Sequence, residues 1–190
     1  MGSALSLSGG PVKVLSYVGL IIGIAPVGIA AIAKSDVLLL LLPSDPESIA
    51  AVPLLSLAAY LMVFAFSNAV SVAVATATQG DFDNSHPREQ KAKRPPKSLA
   101  SRLHAAHCNT VEGLPVFLSG VAATYMHQTV PPKTAAELSL LCILCRLAYI
   151  PLYALDLDLL RTCVWAIGFL TSVCTVLIAA IPQVMLPHFE

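Results

Sequence analysis

The sequence predicts an all-α integral membrane protein, a bundle of four or five transmembrane helices. Of its 190 residues, 56% are hydrophobic and only 12% are charged, about half the charged share of a soluble domain. The mean hydropathy is +0.77. Charge is also confined to islands: no Asp, Glu, Lys or Arg occurs from Val14 to Ala33, from Ser48 to Gly80 or from Thr162 to Phe189. Each run reaches the length, about 20 residues, that a helix needs to cross a bilayer core. A soluble bundle would need a polar face on every outer helix, and these runs have none.

The first run, "VLSYVGLIIGIAPVGIAAIA", has the length of a span, and Gly19 and Gly23 form a G-x-x-x-G that lets a neighbouring helix approach. Pro26 and Gly28 weaken it as a helix, and whether it spans, is cleaved or targets the chain stays open. Its apolar stretch is longer than the usual core of a signal peptide. "MGSALS" matches the myristoylation pattern at Gly2 with Ser6. The second run, Ser48 to Gly80, is the longest and cleanest.

Between the second and third hydrophobic segments lies "QGDFDNSHPREQKAKRPPKSLAS", an irregular loop by its Pro, charge and turn formers. Arg88, Lys91, Lys93, Arg94, Lys97 and Arg102 cluster there, which marks the loop as cytoplasmic. Lys13 and Arg161 fall on the same side and only Lys34 and Lys133 on the other. The topology that follows has five spans, with the N-terminus inside and the C-terminus outside. Two further segments, Leu103 to Met126 and Leu138 to Leu155, are interrupted by one charge each, Glu112 and Arg146.

The net charge is zero, so no nucleic acid or other polyanion is implied as a partner. The five cysteines are an odd number and four lie well inside apolar segments, a poor disulfide framework. Cys142 and Cys145 form a C-x-x-C read as small packing residues. His104 and His107 stand at i, i+3 without a third ligand on their stripe, so no metal site is expected.

The chemistry lies in "RLHAAHCNTVEGLPVF". Arg102, Asn109 and Glu112 are spaced by seven and three, which predicts one shared helical face. At about 1.5 Å per residue, Glu112 lies roughly 15 Å deeper than Arg102. A bare carboxylate there costs at least about 2.5–3.5 kcal/mol, so it must be neutralised or paired. Arg146, on the returning helix, reaches a similar depth and is the expected partner. Tyr149 and Tyr153 follow it at three and four residues, and "ALDLDLL" leads to Arg161 at the cytoplasmic entrance of the last helix. Arginines, a deeper Arg/Glu pair, an asparagine and two tyrosines thus converge on the cytoplasmic half, a set suited to a small ligand with several carboxylates. Against this stands plain helix packing by polar groups, worth roughly 0.6–2 kcal/mol per contact.

These residues resemble the MAPEG family, membrane-associated proteins of eicosanoid and glutathione metabolism, in a bacterial-type version. The resemblance rests on "R-x6-N-x2-E-x2-P-x-F" from Arg102 to Phe117, "R-x2-Y-x3-Y" from Arg146 to Tyr153, and Arg161 followed by "TCVW", with "FDNSHPR" ahead of the first motif. It implies an up-down four-helix transmembrane bundle over residues 49–190, with spans near 49–76, 102–126, 137–155 and 162–186. Residues 1–48 are then an N-terminal extension with one extra hydrophobic segment. It further implies a homotrimer that binds glutathione between subunits near the cytoplasmic side and takes an apolar or lipid substrate. Arg102, Asn109, Glu112, Arg146, Tyr149 and Tyr153 are the implied glutathione-binding residues, and Arg161 is the implied catalytic one, beside the thiolate.

Eicosanoid-forming members carry another arginine four residues before the asparagine, where this chain has Ala105, and their spacing to the last arginine differs slightly. His107 is read as a hydrogen-bonding residue behind the site. Pro115 and Pro151 are expected to kink their helices. The implied activity is a glutathione-dependent transferase or peroxidase acting on apolar electrophiles. The alternative is a non-catalytic lipid-binding or scaffold protein on the same fold, as the lipoxygenase-activating member is. The expected location is the endoplasmic reticulum or another intracellular membrane in a eukaryote, and the inner membrane in a bacterium.

Overall fold

In a computed structural model the described residues are 28–29, 31–32, 37–80 and 85–189. Apart from four residues, the first hydrophobic run and its G-x-x-x-G lie outside them. All regular structure among the described residues is helical. Four long helices carry it: α1 (Pro46–Gln79), α3 (Leu99–Met126), α4 (Pro132–Ala154) and α5 (Asp158–Ala180). A short α2 (Pro87–Ala92) lies in the basic loop, and a one-turn α6 (Pro182–Met185) follows α5.

Local chemistry sets the helix starts. Asp45 caps α1 by accepting from the Ser48 backbone N–H at 2.8 Å, with Pro46 in the first turn. Ser98 caps α3 through the Ser101 N–H, and Pro132 opens α4. These are side-chain acceptors for otherwise unpaired N–H groups, and a residue that has no N–H to satisfy. Gly80 ends α1 at φ 79°, the left-handed conformation that suits glycine.

Contacts between helices fix their directions. Along α1 and α3, Tyr60 meets Thr110, Ser67 meets His107 and Ala50 meets Tyr125, so the two run antiparallel. Asn109 with Tyr149, and Cys142 with Ser172, make α3/α4 and α4/α5 antiparallel as well. One end of the bundle therefore gathers the start of α3, the end of α4 and the start of α5. Three of the four, α1, α4 and α5, are long and apolar enough to cross a membrane. The fourth, α3, has the length but carries the polar stripe.

Within the most apolar window of α4, 67% of residues are buried, against 22% in α1. Thus α4 is the central helix, while α1 turns Leu54, Leu55, Leu61, Met62 and Phe66 outward. Hydroxyls in the interior bond their own helix, as Thr110 does to Ala106, Thr171 to Gly168 and Thr175 to Thr171, since lipid offers them no other acceptor. The basic loop is anchored at Arg94, 8% exposed, whose Nη1 donates to Ser71 Oγ at 3.0 Å and the Ala100 carbonyl at 3.2 Å. Burial alone works against that charge and lowers its pKa.

One expected contact is absent. Glu112 and Arg146 do not pair within the chain: Arg146 is 2% exposed inside the bundle, while Glu112 is exposed on the outer side of α3. The residue that faces Arg146 is the next one, Gly113, where a Cβ would collide with the guanidinium and lie 2.7 Å from the Tyr60 hydroxyl. Matching depth was not enough, because one residue further along a helix is a rotation of about 100°.

Candidate functional site

At the end where α3 begins and α4 ends, a cavity of about 420 Å³ is lined by Lys97, Ser101, Arg102, Ala105, Tyr153, Asp156 and Arg161. Its size lies within the usual range of small-molecule sites, about 300–1,000 Å³. Three cations face one carboxylate there.

Its rim is held by Arg102. From the first turn of α3, Nη1 donates to the Lys97 carbonyl at 2.7 Å and Nη2 to the Ala154 carbonyl at 3.0 Å. One side chain thus ties the entry of α3 to the exit of α4. The two non-glycine residues with positive φ among those described, Lys97 at 61° and Asp156 at 59°, both line this cavity. Left-handed backbone at a lysine is uncommon and costs free energy. Two such residues at one rim mark a shaped opening.

The wall is built from stacked side chains. The Arg161 guanidinium carbon lies 4.4 Å from the centroid of the Tyr153 ring, a cation–π contact from the first turn of α5 to the last turn of α4. Tyr153 meets Tyr149 edge to face at 5.0 Å. Asn109 Nδ2 donates to both hydroxyls, at 2.7 Å to Tyr149 and 2.9 Å to Tyr153. Both amide protons are thereby committed, which aims the asparagine and both phenols as one unit.

Deeper in, Arg146 packs between the rings of Tyr60 and Tyr149, 5.7 and 5.9 Å from their centroids. Its Nε and Nη1 are buried without a hydrogen-bond partner. Tyr60 donates its hydroxyl to the Thr110 carbonyl at 2.9 Å, which holds this cage in place.

Of the residues singled out from the sequence, Arg102, Tyr153 and Arg161 share the cavity, and Asn109 and Tyr149 join it through hydrogen bonds. Arg146 is one ring further in, behind Tyr149. Glu112 stands apart on the outer face. His107 points to α1, with Nδ1 3.0 Å from Ser67 Oγ. Four residues were missed. Lys97 stood in the basic run taken for a topology signal, and Asp156 in a link taken for a connector; Ser101 carries no signal by itself. Tyr60 is the sole tyrosine of the second apolar run, a signal that was available.

No curated protein and no solved structure matches the chain. A family model does, that of the MAPEG family, over residues 50–181. That match covers more than half of the chain and takes in three of the long helices whole, all but the first turn of α1, and every described residue lining the cavity, so the chain belongs to the MAPEG family.

Proposed function

We propose that this protein is a glutathione-dependent membrane enzyme, a transferase or peroxidase acting on apolar electrophiles. It works as a homotrimer of up-down four-helix subunits over residues 49–190, with residues 1–48 adding one hydrophobic segment. The single observation that supports this most is the cavity in which Arg161, stacked on Tyr153, stands beside Arg102 and Lys97.

The donor set suits glutathione, which carries two carboxylates and one ammonium at neutral pH. Lys97 and Arg102 supply positive charge for the carboxylates, and Asp156 supplies the counterpart for the ammonium. Ala105 lines the cavity where related enzymes have an arginine, and Lys97 returns a cation to the same space. Bound there, glutathione contributes a thiol as nucleophile or reductant. A free thiol titrates near 8.5, and a guanidinium that never deprotonates lowers that value. Arg161 therefore holds the sulfur in its anionic form, while the Asn109–Tyr149–Tyr153 unit fixes the wall against which the tripeptide lies.

Glu112 supports the trimer. An exposed carboxylate roughly 15 Å from the helix entry would face hydrocarbon in a lone subunit, at a cost of at least about 2.5–3.5 kcal/mol. A neighbouring subunit over that face of α3 removes it from lipid and brings it towards that neighbour's ligand. The membrane is the endoplasmic reticulum or another intracellular membrane in a eukaryote, and the inner membrane in a bacterium.

The test is calorimetric titration of glutathione into the detergent-purified protein, beside turnover of a model electrophile. The proposal expects binding at millimolar or tighter concentrations, and turnover that Arg161→Ala removes. Binding of apolar ligands without any effect of glutathione would assign the fold to lipid binding or scaffolding instead.

A further inference from the structure

A second cavity lies on the other side of the start of α3. It is an open space of about 510 Å³ lined by Arg88, Lys91, Ala92 and His104, and it shares no residue with the first. Its charged walls, among the described residues, are all basic. Arg88 and Lys91 stand three apart on α2 and so on one side of it, while Glu89 is not among the lining residues.

The segment that carries Arg88 and Lys91 is anchored. Arg94, at the end of α2, is buried and bonded to Ser71 on α1 and to the Ala100 carbonyl on α3. Its own N–H donates to the Lys91 carbonyl at 3.3 Å, so α2 is fastened to both long helices just where Lys91 points into the cavity. Lys91 is itself half-buried.

The floor carries a donor with nothing to bind. His104 Nδ1 is buried and has no hydrogen-bond partner, while Nε2 lies 3.7 Å from Cys108 Sγ. Where the thiol donates to Nε2, the proton sits on Nδ1 and makes that nitrogen a donor. A buried N–H without an acceptor costs free energy, and a rotation of the ring that brings it to an acceptor in the cavity relieves that cost. The cavity also sits near the start of α3, where His104 is six residues, about 9 Å along the axis, beyond the cap at Ser98.

We propose that Arg88, Lys91 and His104 form a binding site for a phosphate group at the membrane surface, separate from the cavity beneath Arg161. Phosphate oxygens accept from both cations, with His104 beside them as a further polar group, and two cations favour an ionised group over a neutral acceptor. Two sources offer this chemistry at that depth: the headgroup of an anionic phospholipid and a soluble phosphate monoester.

The experiment uses the full chain. Native mass spectrometry of protein purified from vesicles of phosphatidylcholine mixed with phosphatidic acid reads retained lipid, and titration with sn-glycerol 3-phosphate reads the soluble form. Expected is retention of phosphatidic acid over phosphatidylcholine, falling about fivefold for each cation removed in Arg88→Ala and Lys91→Ala. His104→Phe, which keeps a ring but removes the donor, should lower it too. Lys93→Ala, an exposed cation that does not line the cavity, should leave it unchanged. Equal binding of sn-glycerol 3-phosphate with the same dependence on Arg88 and Lys91 would name the soluble ester as the ligand and uphold the site. Binding of neither probe, or an equal loss in Lys93→Ala, would overturn it and leave a diffuse surface charge.

Discussion

The Arg161 guanidinium carbon lies over the Tyr153 ring, 4.4 Å from its centroid. This contact joins the start of α5 to the end of α4 across the break between them. A lysine would keep the charge but lose the planar stack. Arg161→Lys is expected to retain glutathione binding within about threefold and to lose turnover by about tenfold or more, the equivalent of about 1.4 kcal/mol. Single-turnover kinetics beside calorimetry checks the split.

Asn109 commits both amide protons to tyrosine hydroxyls. In Asn109→Leu both phenols lose a donor in a part-buried setting, at about 1–3 kcal/mol. Thermal unfolding in detergent should move down, and glutathione affinity should fall at least about tenfold. Unchanged affinity would mean that the ligand does not lie against this wall.

Asp156 lines the cavity as its one carboxylate. Asp156→Asn keeps a residue that tolerates left-handed backbone and removes the charge. Affinity for glutathione should drop, while that for its analogue lacking the amino group should hold or rise. Competition between the two ligands reads the difference directly, and a parallel loss for both would exclude a role in recognising the ammonium.

Gly113 leaves room for Arg146. Gly113→Ala is expected to lower stability by about 1–3 kcal/mol through overcrowding. Combined with Arg146→Met, which vacates the space, it should cost less than the sum of the two single changes. A double-mutant cycle on detergent unfolding measures that coupling.

The helices and the rim of the site were legible because they follow local rules. Runs without charge mark the apolar helices, and the spacing from Tyr149 through Tyr153 to Arg161 carries one wall of the cavity. The partner of Arg146 was not legible. Its depth could be estimated, but the rotation of α3 that offers Gly113 rather than Glu112 is set by packing across three helices. Tyr60 stabilises that cage from fifty residues away, a separation no local pattern spans. The left-handed backbone at Lys97 also has no local sequence signal, and its carbonyl is held by Arg102 five residues on. Nor does a basic run reveal which of its members are fastened, as Arg94 is, and which line a cavity.

Arg146 has a consequence for how the chain is made. Of the three apolar helices, α4 is the least apolar, and it holds an arginine near its middle whose aromatic cage belongs partly to α1, through Tyr60. An isolated α4 leaving the ribosome would present that cation to lipid at about 2.5–3.5 kcal/mol. With α1 already in the bilayer, the Tyr60 ring covers that cation and offsets part of the cost. An earlier helix thus eases the entry of a later one, and a lesion at Tyr60 is felt at Arg146, more than eighty residues downstream.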